Sequence, residues 1–203
     1  MPTRLLQIVA GILAGLALLA AAALLGWLPG APAREPDPNV LAASFPAPDL
    51  HLTDQRGRAF ALEPGDGVAV VFFGYTHCPD VCPLTLASLA RAVESLGPEG
   101  SSVQVVFVTV DPARDTPERL AEYLASFDPR FVGLTGTEDE IAAASAAWGV
   151  YRDVPPAGGT DYAVDHSARS YVVDRDGLVR ATFATDVDAE GMARTLRRLL
   201  SGE

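Results

Sequence analysis

The stretch GVAVVFFGYTHCPDVCP, residues 67–83, leaves the chain few ways to fold. Its first half is a short continuous run rich in Val and Phe, which predicts a central strand buried on both faces. Pro83 has no N–H for an interior helical bond and clashes with the preceding turn, so a helix holding it must place it in its first turn. Apolar residues recur at helical spacing beyond it (Leu86, Leu89, Ala90, Val93, Leu96), and Gly97-Pro98 stops the pattern. The elements are therefore a buried strand, a turn over Cys78-Pro79-Asp80-Val81, and a helix beginning near Asp80 to Cys82. Strand feeding helix is the unit of an open α/β sheet, in which sites collect at the carboxyl ends of the strands.

The rest of the chain repeats that alternation. LHLTDQRGRAF predicts a hairpin turning at Asp54–Gly57. SVQVVFVTV is a second buried strand, followed by DPARDTPERLAEYLASF, a helix with Asp115 or Thr116 as cap and Pro117 in its first turn. FVGL is a third strand, and Thr137 with Glu140 forms a capping box opening a helix from Glu138 to Trp148. ARSYVVD and LVRATF predict a hairpin around Arg175-Asp176-Gly177, and Asp188 caps a last amphipathic helix through Leu200. Three strand–helix units, then a hairpin and a helix, make an α/β three-layer sandwich with a mixed central sheet.

Ahead of this domain, Leu5 to Leu28 is 24 residues without a charge, long enough for a membrane-spanning helix and longer than the apolar core of a secretory signal. Arg4 before the run leaves the N-terminus in the cytoplasm, and Trp27 stands where an interfacial aromatic is expected. The Ala-rich end, Ala20 to Ala23, is the one feature that reads as a cleavage region, and an uncleaved anchor is the expectation. The expected organisation is an anchor over 1–33, a stiff Pro-rich linker over 34–46 and one domain over 47–203. All 26 acidic residues follow Arg34, against 13 of the 15 arginines and no lysine, so that part carries −13. Phosphate backbones repel such a surface, which excludes nucleic acid as a partner. A domain outside the cytoplasm sits where thiols oxidise unless they are managed. No Arg- and Ser-rich transit peptide precedes the apolar run, so the expected site is a bacterial inner membrane, single-pass, with the domain on the periplasmic side.

The chain has two cysteines, Cys78 and Cys82, and both lie on the strand–helix elbow. A structural disulfide there closes too short a loop to restrict the unfolded chain much. A redox pair fits the helix N-terminus, whose partial positive charge favours thiolate, although three residues intervene where thiol–disulfide enzymes usually have two. A metal pair fits two soft thiolates within reach of one ion, but it needs a further ligand. Of the three histidines, His51 reads as a half-exposed strand residue, and His77 points away from its neighbour Cys78. His166 enters the strand ARSYVVD and comes close to the elbow if that strand lies beside the first central one. Oxidoreductases of the thioredoxin type enter the corresponding strand through a cis-proline; Asp165-His166-Ser167-Ala168 has none, which favours a Cys–Cys–His site. Asp111 and Asp115 read as turn and cap residues, Tyr162 and Trp148 as packing.

The blocks FFGYTHCPDVCP, VTVDPARDTPERLAEYLASFDPRFVGLTGT and YAVDHSARSYVVDRDG, in that order, resemble the SCO/SenC family over about Phe45 to Leu200. That resemblance implies a thioredoxin-like fold, copper (Cu(I), Cu(II) or both) held by Cys78, Cys82 and His166, and assistance to the CuA centre of cytochrome c oxidase subunit II. Asp165 is the candidate for orienting the His166 imidazole from outside the ligand set. A second periplasmic copper chaperone or a thiol reductant is the further partner implied. Two other uses of the pair stay open: a thiol–disulfide reductase that keeps the cysteines of subunit II reduced, and a peroxide-reducing thiol enzyme, which Thr76-His77-Cys78 supports only loosely. The loop between Tyr151 and Tyr162 is shorter than the family's, where a hairpin moves with metal occupancy, and EPGDG replaces the usual Gly-Lys entry to the central strand.

Overall fold

The computed structural model describes residues 2–24, 37–63, 65–155 and 162–202. Two compact units divide at Pro36/Asp37. The first holds α1, a helix over Pro2–Leu24. Several of its side chains lie outside the described set, and among the described residues no helix is long and apolar enough to cross a membrane. Trp27 and the first part of the expected linker also lie outside the described residues.

The second unit is built on an eight-stranded mixed sheet. Its strands are β1 (Val40–Pro46), β2 (His51–Asp54), β3 (Ala59–Ala61), β4 (Val68–Gly74), β5 (Val103–Thr109), β6 (Val132–Thr135), β9 (Ser170–Val173) and β10 (Leu178–Phe183). A separate two-stranded ribbon pairs β7 (Arg152–Asp153) with β8 (Asp165–His166). The sheet order is β1-β10-β9-β4-β5-β6-β2-β3. β4, β5 and β6 run parallel, and β9 lies antiparallel beside β4, with Val71 opposite Tyr171. The helices are α2 (Val81–Ser95), α3 (Pro117–Ala125), α4 (Glu138–Ala147) and α5 (Ala189–Leu200).

β4 shows why the sandwich has three layers. Every one of its residues is buried, and alternate side chains serve different cores. Val68, Val70 and Phe72 pack with Leu86 and Leu89 of α2, Leu120 of α3 and Leu196 of α5. Ala69, Val71 and Phe73 pack with Ile141 of α4, with Trp148 and with Leu52 of β2. Trp148 is packing, as expected: its ring meets Phe73 and Tyr171 at centroid distances of 6.0 and 5.3 Å. Both predicted hairpins form, each nucleated by an aspartate. Asp54 Oδ1 accepts from the amides of Arg56 and Arg58, and Asp174 Oδ1 accepts from those of Asp176 and Leu178. The Thr137–Glu140 capping box and the Asp188 cap are also in place.

The sheet extends further than the sequence pattern predicts. Residues 40–46, expected within the linker, form edge strand β1 against β10, with a register shift between Val40 and Phe45. Five of its seven residues are exposed, so no hydrophobic alternation marks it as a strand. Asp115 is a second correction. The cap of α3 is Thr116, whose side chain accepts from the Arg119 amide; Asp115 is fully buried and turned toward Thr76, beyond β4, and Thr109, at the end of β5.

Candidate metal centre

β4 ends at Gly74, and the chain crosses to α2 through Tyr75-Thr76-His77-Cys78-Pro79-Asp80. Asp80, at the N-cap of α2, makes no side-chain cap bond. A sulfur supplies an acceptor instead: the Cys82 amide, in the first helical turn, donates to Cys78 Sγ at 3.5 Å. Cys78 is half-buried and Cys82 buried, and both thiols are free. Burial pushes the Cys82 thiol well above its ordinary range, against the opposing pull of the Tyr75 backbone amide. In the metal-free chain the helix N-terminus therefore does not make Cys82 a thiolate.

Because β9 pairs with β4, the segment that enters β9 passes over the elbow, and Cys82 Sγ lies 3.8 Å from His166 Nε2. The other ring nitrogen, Nδ1, is 3.0 Å from the Ser167 carbonyl oxygen. A carbonyl only accepts, so Nδ1 carries the proton and the Nε2 lone pair faces the sulfur. Burial lowers the His166 pKa, which keeps the ring neutral and able to ligate. The ring also meets Tyr75 edge-on, with centroids 5.8 Å apart.

Cys82 and His166 are thus brought together, and Cys78 sits against the Cys82 amide. Among the described residues no three His, Cys, Asp or Glu side chains are yet gathered tightly enough to hold an ion. His77 is turned away from the pair, its Nδ1 3.2 Å from Thr76 Oγ1 and 3.8 Å from Asp115 Oδ1. His51 lies exposed on β2. Asp165 is exposed and acts on His166 through its charge, while the bond that orients the ring is the one to Ser167.

Three further residues within the quoted blocks support the site in ways the sequence reading does not assign. Asp115 accepts from the Thr76 amide (3.0 Å), Thr76 Oγ1 (2.7 Å) and Thr109 Oγ1 (2.7 Å), fastening the residues before Cys78 to the end of β5. Tyr162 donates to Asp111 Oδ1 at 2.8 Å, so it is more than packing. Gly74 makes room for the site: a Cβ there would lie 2.8 Å from both Cys82 Sγ and the Phe107 ring. A glycine closing a Val- and Phe-rich strand is the sequence signal for such a close approach. Gly74→Ala is expected to destabilise the domain by about 1–3 kcal/mol through overpacking and to displace the Cys82 sulfur. Urea unfolding checks the first effect and thiol alkylation rates check the second.

The SCO1/SenC family model matches residues 42–201 of the chain. The human protein SCO2 homolog, mitochondrial, is 42% identical over 154 residues, covering 74% of this chain. The chain spans 58% of that relative's own length. A putative copper-binding protein of Stutzerimonas stutzeri is 38% identical over 160 residues, covering 77% of this chain and 78% of the relative. The solved structure of Bradyrhizobium japonicum ScoI with copper bound is 38% identical, superposes with a TM-score of 0.70, and covers 76% of this chain and 99% of that one. The mixed sheet, its helical layers and the matched residues agree: the chain belongs to the SCO1/SenC family.

Proposed function

We propose that this chain is a membrane-anchored copper chaperone that takes copper as cargo on Cys78, Cys82 and His166 and assists assembly of the CuA centre in cytochrome c oxidase subunit II. The observation that carries the reading is the bare His166 Nε2 facing Cys82 Sγ at 3.8 Å, with Nδ1 committed to Ser167. Two sulfurs and an imidazole are soft and borderline donors that suit Cu(I) in three-fold coordination, with room for a further ligand on Cu(II). A structural zinc site would want four. In this reading Cys78 Sγ leaves the Cys82 amide, to which it is bonded at 3.5 Å, and turns to the ion. A three-ligand site leaves an open position through which a receiving protein draws the ion off. The copper-bound relative supports the cargo, and the family resemblance supports the destination. Asp165, the neighbour first expected to orient the ring, acts on it only through its charge, which raises the His166 pKa against the lowering by burial.

The anchor in this reading rests on the sequence, on the 24 uncharged residues from Leu5 to Leu28, part of which lies outside the described residues. Arg4 holds the N-terminus on the cytoplasmic face of a bacterial inner membrane and the domain on the periplasmic side. The half-buried Cys78 beside a buried Cys82 favours a second reading, a thiol–disulfide reductase acting on the cysteines of subunit II.

The full chain, reduced and in detergent, is titrated with Cu(I) against a competing chelator. One ion per chain is expected, and His166→Ala is expected to weaken it at least tenfold and to change the Cu(II)–thiolate absorption. Equal affinity and an unchanged spectrum in His166→Ala would sink the three-ligand reading. Weak copper affinity with a strongly reducing disulfide potential would favour the reductase.

A further inference from the structure

Among the described residues, the segment that brings His166 to the elbow is held by its backbone at a few points, one of them a bond from the Val164 backbone to Tyr75. β7 and β8 contribute two residues each, and beyond them the Ser167 amide donates to the Tyr151 carbonyl at 3.0 Å. Its side chains do more. Tyr162, four residues before His166, lies with its ring centroid 3.5 Å from the Arg114 guanidinium carbon. Its hydroxyl donates to one oxygen of the buried Asp111 at 2.8 Å, and Arg114 Nε pairs with the other. The same guanidinium is 5.7 Å from the Tyr75 ring, which in turn meets His166 edge-on. Arg114 thus touches two aromatic rings, one three residues from Cys78 and one four residues from His166. Asp111 is anchored in turn, its amide donating to Thr109 Oγ1 at 2.9 Å.

We propose that Arg114 and Tyr162 are positioning residues: with Asp111 they form a clasp that holds residues 162–169 down on the elbow, and so keep His166 within reach of Cys82. The proposal deepens the copper reading and rests on it for its consequence, but the clasp itself is measurable without metal. A planar guanidinium stacked on a ring and largely removed from water is a strong form of the cation–π contact. Neither Arg114 nor Tyr162 belongs to the proposed ligand set, so the effect passes through the place and order of His166.

The test is hydrogen–deuterium exchange of the full metal-free chain in detergent, for wild type and for Tyr162→Leu, Tyr162→Phe and Arg114→Met. Peptides within 162–169 are expected to exchange about tenfold faster in Tyr162→Leu and Arg114→Met, while those of β4 and β5 stay at wild-type rates and show that the domain is folded. Tyr162→Phe keeps the stacked ring and loses the bond to Asp111, so it falls between. The rate at which a chelator strips Cu(I) is expected to rise by about the same factor, and to rise no further when Tyr162→Leu is added to His166→Ala. Unchanged exchange at 162–169, faster exchange with wild-type copper loss, or full additivity with His166→Ala would each overturn the clasp. Failure of the wild type to bind copper would overturn the proposed function instead, leaving the apo exchange to decide the clasp.

Discussion

Replacing Asp115 by Ala is expected to destabilise the domain by about 3–5 kcal/mol, the largest loss expected from any single polar residue near the site. The carboxylate is fully buried and accepts three hydrogen bonds, from the Thr76 amide and from the hydroxyls of Thr76 and Thr109. Alanine leaves those three donors without an acceptor where water does not reach, and each such group costs about 1–3 kcal/mol. The hydroxyls can rotate toward other acceptors and the amide cannot, which places the sum below the simple total. Asp115→Asn keeps the shape and one acceptor oxygen, so about half the loss is expected. Urea unfolding of the metal-free chain measures both. A loss under about 1 kcal/mol in Asp115→Ala would show that the Thr76 amide finds another partner and that the elbow is held elsewhere. Because Thr76 lies two residues before Cys78, the same variant should also speed alkylation of the thiols under native conditions.

Asp115 also marks where sequence reasoning stops. A short DPARDTP segment before a helix offers three residues suited to turns and caps, and local chemistry cannot tell a cap from a carboxylate that turns inward. The choice is made by Thr76, 39 positions away, which presents an amide and a hydroxyl to Asp115. Tyr162 is the same case: its partner Asp111 is 51 positions away, and nothing in YAVDH distinguishes a packing tyrosine from a hydrogen-bonded one. β1 escaped notice for a different reason, since an exposed edge strand need not alternate. What was legible rested on rules with little tertiary freedom. Pro83 has to sit in the first helical turn; β4 and β5 read as buried because their apolar runs are continuous; and Thr137 and Glu140 carry a capping box in four residues. His166 lies between these cases. Its place depended on one long-range fact, that β9 pairs with β4, which the sequence left as a condition because a hairpin pattern sets only the pairing of β9 with β10. The bond from Nδ1 to Ser167 was beyond reach, because any backbone carbonyl would have served and only the fold selects which.

The apparent affinity for Cu(I) is expected to rise at least tenfold for each pH unit between about 6.5 and 8.5, and Cys82→Ser is expected to lower both the affinity and that slope. Burial holds the Cys82 thiol protonated across this range, so metal binding must release its proton, and each proton released contributes a factor of ten per unit. His166 adds nothing to the slope there: burial sets its pKa below the ordinary imidazole value, and it is already neutral. The two groups act on the metal-free fold in opposite senses. A thiol pKa raised by folding contributes stability that is present below the unfolded thiol value and is lost as pH rises through the folded one. A histidine pKa lowered by folding contributes stability that is present above the unfolded imidazole value and is lost as pH falls through the folded one. Copper should therefore stabilise the domain most on the alkaline side, where the metal-free fold begins to lose the Cys82 contribution. A serine hydroxyl does not ionise in this range and is a poor donor to a soft ion, so Cys82→Ser should lose more than the roughly hundredfold that removal of an outer partner of a ligand costs. Competitive titration at pH 6.5, 7.5 and 8.5 measures slope and affinity together. A slope near zero in the wild type would mean that the thiolate already exists without metal, and that the positive end of α2 outweighs burial at Cys82 after all.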